Sequence, residues 1–244
     1  MSKVVTTTVL PDVAGGSVTL GGSGDNVVVT GNDFRTNTYQ DAGGNAAFTS
    51  DGSGTLSGMN SAFGGALNLV STQTASNTAE VVFGSSLITS TYDVYLFKFI
   101  QCNPATNSAT WQFQMAHGDG DYNTVMTTNF YRALHSEDDT TIAQLAYDTG
   151  NDQAQGTAFQ YLAQNVMNDA DACISGELYL FAPLSTTFIK QFSSRCTAMR
   201  TGPLASDVFV SGHFNTTGAL PQIKFAFSSG NFDGTIKLYG FSKS

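Results

Sequence analysis

The sequence predicts an all-β protein, an antiparallel β-sandwich or jelly roll preceded by an extended, glycine-rich N-terminal arm. Apolar and polar residues alternate with a period of two in segments such as T-W-Q-F-Q-M-A (110–116) and Q-I-K-F-A-F-S (222–228). Turns rich in Gly, Asn, Asp and Ser separate these segments, and the composition changes near residue 66. Short alternating runs with polar turns are typical of the half-buried strands of sandwiches and barrels.

The first 65 residues are the predicted arm. They hold 13 of the 25 glycines but only four of the 28 aromatic residues, so they cannot bury much surface by themselves. Their β-branched patches, V-V-T-T-T-V-L and N-V-V-V-T, favour short strands that become ordered by packing on something else. A flexible linker is the alternative. We therefore place an arm at residues 1–65 and a head domain at residues 66–244.

Ten segments of the head have the pattern of strands. They are Leu67–Ser71, Ala79–Phe83, Val94–Gln101, 110–116, Thr124–Leu134, Gly176–Phe181, Phe188–Ser193, Val208–Phe214, 222–228 and 234–241. The last of them ends close to the C-terminus, with Ile236 and Leu238 facing inward. We expect it to close its own sheet, and a subunit interface is the alternative.

The segment at 157–167 fits two structures. As a short helix it would place Phe159, Leu162 and Val166 on one face, and as a strand it would align Phe159, Tyr161 and Ala163. A strand is favoured because the neighbouring segments are strands.

The charge pattern excludes several classes of partner. Charged residues make up 12% of the chain, the net charge is −9, and no run of Lys or Arg occurs, which argues against nucleic-acid binding.

No apolar stretch approaches the roughly 20 residues of a membrane span. No secretory signal follows Met1, so we expect synthesis in the cytoplasm. The three cysteines form no C-x-x-C and are interpreted as buried thiols.

Motifs of catalysis and metal binding are weak in this chain. The sequence contains no H-E-x-x-H or G-x-S-x-G, and no pair of glycosidase carboxylates can be placed, so we expect neither an enzyme nor a cofactor. In H-G-D-G-D-Y, the side chains of His117, Asp119 and Asp121 are weak candidate metal ligands, and a tight turn is the favoured interpretation. The run at 137–139, Glu-Asp-Asp, is expected to be a solvated loop tip.

Four tyrosines near polar loops are the candidate receptor-binding residues: Tyr122, Tyr131, Tyr147 and Tyr161. Exposed aromatic rings on strands can stack against sugars, whereas most aromatic residues serve a core or an interface.

Residues from about Asn68 to Ser244 resemble a domain of structural proteins of tailed bacteriophages, especially marine ones. The resemblance depends on S-T-Y-D-V-Y-L-F-K-F (90–99), T-N-F-Y-R-A-L-H-S-E-D-D (128–139), G-E-L-Y-L-F-A-P-L-S-T-T-F-I-K (176–190) and, most specifically, F-S-S-G-N-F-D-G-T-I-K-L-Y-G-F (227–241). The turn before G-T-I-K-L-Y-G is about one residue shorter than in that family, and the arm matches the pattern poorly. The resemblance brings no catalytic residues.

This resemblance implies a virion structural protein, made in the bacterial cytoplasm and assembled into the particle. The expected form is a homotrimeric fibre or spike subunit, with residues 1–65 bound to other tail or capsid proteins and the head in contact with the host surface, including a host glycan. A capsid decoration protein is the alternative, and a glycan depolymerase is a more distant one.

Overall fold

The computed structural model describes residues 38–40, 46–50, 53, 56–57, 66–118 and 120–243. Within these ranges the chain forms strands and turns and no helix, so none of the described residues lies in a helix that could cross a membrane. The all-β prediction is confirmed. The chain divides into two units, residues 1–60 and 61–244.

The first unit contains a small antiparallel sheet in the order β1-β2-β3. Its strands are Thr38–Gln40 (β1), Ala46–Ser50 (β2) and Leu56–Ser57 (β3). Most of the predicted arm lies outside the described residues.

The second unit contains the remaining described strands. They are Leu67–Thr78 (β4), Glu80–Phe83 (β5), Val94–Pro104 (β6), Ala109–Ala116 (β7), Met126–Ser136 (β8), Ala143–Tyr147 (β9), Gln160–Val166 (β10), Ile174–Phe181 (β11), Lys190–Arg200 (β12), Leu204–Phe214 (β13), Gln222–Phe227 (β14) and Phe232–Phe241 (β15). All ten predicted head strands are present, and most are longer than the sequence pattern indicates. Strand β9 was not predicted.

Eight of these strands have the topology of a jelly roll. Strands β4, β15, β6 and β11 lie side by side in one sheet, and β5, β14, β7 and β10 lie side by side in the other. The two sheets are joined where β10 pairs with β12, at Val166 and Arg200. The antiparallel pairs β4–β15, β5–β14, β6–β11 and β7–β10 nest within one another along the chain, which is how two Greek keys form a double-sheet jelly roll.

Two insertions enlarge one sheet of this jelly roll. The hairpin β8–β9 lies between β7 and β10 in sequence, and the hairpin β12–β13 lies between β11 and β14. In space they continue the first sheet in the order β11-β12-β13-β8-β9. We call these added strands the extension, and we call the two sheets the larger sheet and the smaller sheet.

The core lies between the two sheets and is rich in aromatic rings. Phe225 on the smaller sheet is fully buried, and its ring centroid lies 5.1 Å from that of Phe97 and 5.0 Å from that of Phe99 on the larger sheet. Trp111 is also fully buried and contacts Phe99 and Phe232 edge-to-face. Edge-to-face contacts place a ring's positive edge against its neighbour's negative face, so they add to the stabilisation from burial.

Polar side chains join the inner face of the extension to the smaller sheet. The Thr128 hydroxyl donates to Oε1 of the buried Gln160 at 2.6 Å. Arg132 forms an ion pair with Asp148 and donates to Oε1 of Gln164 at 2.7 Å. Apolar packing continues beside them, because Phe113 of β7 contacts Phe192 and Phe214 of the extension.

The structure resolves the segment at 157–167 in favour of a strand, with a different buried face from the predicted alignment. Leu162, Ala163 and Val166 are buried, whereas Tyr161 is half-buried on the outer face. Irregular pairing with β7 on both sides of Ala163 explains the change, because each extra residue in a strand reverses the face of those that follow.

The C-terminal strand closes its own sheet, as predicted. Strand β15 lies between β4 and β6 and pairs with both. Ile236 and Leu238 are fully buried on its inner face. Gly240 lies under the ring of Tyr92, in a position where a β-carbon would overlap that ring.

Candidate functional site

The outer face of the extension carries an exposed aromatic patch because of the alternation within β13 and β8. In D-V-F-V, the residues Val208 and Val210 point into the core, so Phe209 points outward. On β8, Phe130 is buried and Tyr131 is 40% exposed. The antiparallel register places Phe209 opposite Tyr131, so the two outward rings meet.

We define the aromatic ridge as Arg195, Phe209, Tyr131 and Tyr147, one residue from each strand of the extension. Cross-strand pairing aligns them in a single row across the sheet. The rings of Phe209 and Tyr131 are parallel within 3°, with their centroids 5.1 Å apart. The Arg195 guanidinium lies 4.8 Å from the centroid of Phe209, which is a cation–π contact.

Ionic and hydrogen-bonding partners fix both ends of the ridge. Arg195 donates through Nε and Nη2 to the two carboxylate oxygens of Asp207, at 3.0 and 2.7 Å. These bonds raise the pKa of Arg195, so its charge is permanent. At the other end, the Tyr147 hydroxyl donates to Asp152 at 2.6 Å, and this bond raises the pKa of Tyr147.

A groove of about 660 Å³ runs beside the ridge. We define it by Ala133, Ala143, Thr197, Met199, Ala205 and Asp207, which lie on the outer face of the extension. The row containing Ala133 and Asp207 is two residues along the strands from the ridge, roughly 7 Å away. Small side chains form most of the floor, and the larger side chains of the ridge stand next to it.

Acidic residues surround the groove. Asp207 and Asp171 line it. The β8–β9 turn beside it carries Glu137, Asp138 and Asp139, and these are exposed as predicted for a loop tip. Hydrogen bonds from Thr141 and Ser136 lower the pKa of Asp138, which keeps this carboxylate charged. The nearby basic side chains are those of Arg195 and His135, and each contacts a carboxylate, that of Asp207 and that of Asp139 respectively.

The predicted tyrosines divide between the two faces of the sandwich. Tyr131 and Tyr147 lie together on the ridge, and Tyr147 is 55% exposed. Tyr122 and Tyr161 lie at the outer face of the smaller sheet. There the Lys224 ammonium lies 4.3 Å from the centroid of Tyr122, and Tyr161 pairs with Gln112. The four residues therefore do not form one site.

The candidate metal ligands have other roles or remain undescribed. His117 Nδ1 lies 3.1 Å from the carbonyl of Ala219, Asp121 is exposed, and Asp119 lies outside the described residues. No group of three or more His, Cys, Asp or Glu side chains in the described part of the chain is arranged to hold a metal.

Two of the three cysteines lie in the core, and the third lies at the outer surface. Cys102 and Cys196 are fully buried in the core, and burial raises the pKa of both thiols to about 12. The prediction of a buried thiol is wrong for Cys173, which is half-buried and lines the groove together with His135. Cys173 directly precedes β11, and His135 lies on β8, three strand spacings or roughly 14 Å from β11. The thiol and the imidazole therefore do not form a nucleophile–base pair.

Sequence reasoning missed Phe209, Arg195 and Asp207. The outward orientation of Phe209 can be read from the two valines that flank it. Its contact with Tyr131 depends on the register between β13 and β8, and this register joins residues that are 78 positions apart in the chain.

Comparison with protein-family models, curated proteins and solved structures finds no match for this chain.

Proposed function

We propose that this chain is a structural protein of a tailed bacteriophage virion, a fibre or spike subunit whose head contacts the host surface. Its role is structural rather than catalytic. Residues 1–65 attach it to other virion proteins, and the subunit forms a homotrimer. The head displays the outer face of the extension, which carries Tyr131 and Tyr147, toward the host.

The observation that carries this proposal is an exposed aromatic ridge on strands added to a jelly roll. Jelly rolls recur in viral capsid proteins and in lectins, although a fold alone does not assign a function. The added strands expose Tyr131, Tyr147 and the 77% exposed Leu145. Exposed apolar side chains that lie together mark a surface used for contact with another molecule. The sequence resemblance to phage structural proteins supports the same conclusion.

Deletion of residues 1–65 tests the proposed division of labour. We expect the shortened protein to fold with an unchanged far-ultraviolet circular dichroism spectrum of the head but to be missing from purified particles. Normal incorporation of the shortened protein would contradict the proposal. Light scattering of the full-length protein tests the trimer, and a stable monomer would contradict that part.

A capsid decoration protein is the second candidate, and strand β4 favours it. The twelve residues of this strand, L-N-L-V-S-T-Q-T-A-S-N-T, include no charged residue and no proline. Among the described strands β4 pairs only with β15, so it is an edge strand of the larger sheet, the kind of strand to which a neighbouring protein would add its own. Labelling the subunit in particle images distinguishes the two candidates, because a decoration protein covers the capsid and a fibre lies on the tail.

A further inference from the structure

We propose that the aromatic ridge and the groove beside it bind an uncharged glycan chain whose sugars carry methyl-containing substituents, such as N-acetyl groups. This inference rests on the proposed function in one respect, since it names the ligand of the face that is assigned to host contact.

The ridge supplies rigid surfaces for sugar rings. One face of a pyranose presents C–H groups, and these carry a small positive charge that is attracted to the negative face of an aromatic ring. Because Phe209 is held between Tyr131 and Arg195, the ridge loses little conformational entropy on binding. Tyr131 and Tyr147 provide exposed aromatic surface next to the groove.

The groove floor combines methyl groups with a few polar atoms. Ala133, Ala143 and Ala205 present methyl groups, and Met199 adds a flexible apolar side chain. Asp207 is held by Arg195, yet its side chain keeps 27% exposure, which leaves its carboxylate accessible as an acceptor for sugar hydroxyl or amide groups. An N-acetyl group matches this floor because its methyl can contact the alanines while its amide N–H donates to a carboxylate.

The surrounding charges exclude polyanionic glycans. Asp171 and Asp207 line the groove, and the carboxylates of residues 137–139 lie at the neighbouring turn. Arg195 and His135, the basic side chains beside them, already contact carboxylates, and the whole chain has a net charge of −9. A glycan rich in uronates or sulfates would be repelled, whereas an uncharged glycan would not.

Two hexasaccharides with the same β-1,4 linkage test this proposal directly. Full-length protein is titrated with chitohexaose, which carries N-acetyl groups, and with cellohexaose, which does not. We expect calorimetry to give at least tenfold tighter binding of chitohexaose, and saturation-transfer NMR to show transfer from the protein to its acetyl methyl groups. Hexagalacturonate, a polyanion, should not bind.

Three variants locate the site. Tyr131→Ala removes an exposed ring of the ridge and Ala205→Trp fills the groove floor, and each should weaken chitohexaose binding by about tenfold or more. Phe188→Ala is the matched control, because Phe188 is 71% exposed and lies outside the ridge and the groove. It should bind as the unaltered protein does, and thermal melting checks that each variant is folded.

Several results would overturn the glycan assignment. They are the absence of binding to both neutral hexasaccharides, equal affinity for the two, preference for hexagalacturonate, or binding that Tyr131→Ala and Ala205→Trp leave unchanged. Particle incorporation is measured independently. A subunit found in particles that binds neither hexasaccharide refutes the ligand alone, and one that binds chitohexaose but is never found in particles refutes the virion role alone.

Discussion

The jelly roll and its extension use the same antiparallel pairing but bury their residues differently. Between the sheets of the jelly roll, a cluster of contacting rings is formed by Phe97, Phe99, Trp111 and Phe225, each at most 2% exposed. The extension packs inward partly through Thr128, Arg132 and their polar partners, and it presents aromatic rings outward. The aromatic residues of the jelly roll cluster lie inside the fold, whereas those of the extension serve both faces. Phe192 and Phe214 are buried in the core, and Phe209, Tyr131 and Tyr147 form the outer surface.

This difference indicates how a binding face can be added to a stable fold. The two inserted hairpins continue the larger sheet. Strand β12 pairs with β11 of the jelly roll on one side and with β13 of the extension on the other. The eight-stranded jelly roll does not need the outward residues of the extension for its own core. Substitutions on the ridge should change binding without unfolding the protein, and substitutions in the ring cluster should do the reverse.

The largest expected effect is on the ring cluster. Phe225→Ala removes a fully buried ring that contacts Phe97, Phe99 and Trp111, so it should lower the free energy of unfolding by about 3–5 kcal/mol. Urea denaturation followed by Trp111 fluorescence measures this change. Phe188→Ala, which truncates an exposed ring, should stay within about 0.5 kcal/mol. Similar losses for the two variants would contradict the distinction between the regions.

A smaller effect is expected where the extension meets the smaller sheet. Gln160→Leu removes the acceptor of the Thr128 hydroxyl and the donor to the Asn151 carbonyl, both at buried or partly buried positions. The expected loss of stability is about 1–3 kcal/mol. Hydrogen exchange should accelerate in β8 and β9 more than in β6 and β15, because the lost bonds hold the extension.

The control for this experiment is Gln191→Leu, which changes an exposed amide on the outer face of β12. It should leave exchange rates unchanged. Uniform acceleration over all strands in Gln160→Leu would mean that the extension and the jelly roll unfold as one unit, and it would remove the proposed distinction in local stability.

The strand pattern could be predicted from the sequence because it follows from local alternation. Ile223, Phe225 and Phe227 alternate with more polar residues, and all three are buried as this pattern indicates. Strand β9 was missed because A-Q-L-A-Y is only five residues long and lies at the edge of the sheet, where its side chains are exposed or half-buried. Buried amides such as Gln114 were also unpredictable, since their partners come from distant loops.

Gln114 illustrates the limit of periodicity. Its side chain points away from Trp111 and Phe113, as predicted, yet it is fully buried. The loops at 124 and 157–158 cover it and accept hydrogen bonds from its Nε2. For the candidate site, single residues such as Tyr131 could be identified from the sequence. The ridge itself depends on the register of four strands, and alternation within one strand does not determine register.

The third prediction uses the cysteines, two of which are buried and one of which lines the groove. At pH 8 an alkylating reagent should modify the groove thiol of Cys173 and leave Cys102 and Cys196 unmodified until the protein unfolds. Mass spectrometry of peptides distinguishes the three sites. Fast modification of Cys196 in folded protein would show that the sheets open locally.

The same buried thiols make a contribution to stability that depends on pH. Burial raises the pKa of Cys102 and Cys196 from 9.0 to about 12, so the folded state holds these protons more tightly than the unfolded state. The stabilising free energy that these protonated thiols contribute is fully present below pH 9 and is lost as the pH rises toward 12. A variant with alanine at both positions should show a shallower alkaline decline than the unaltered protein, and equal slopes would contradict this origin.

The smallest expected effect on stability is at the ridge. Tyr131→Ala removes a ring that is 40% exposed and contacts Phe209 on one face, so the free energy of unfolding should fall by less than about 1 kcal/mol. Urea denaturation measures this value, and Tyr131→Phe separates the ring from its hydroxyl. A loss as large as that of Phe225→Ala would mean that the ridge holds the extension together. An aromatic row on an outer face would then be a structural element, and its exposure would no longer argue for a ligand.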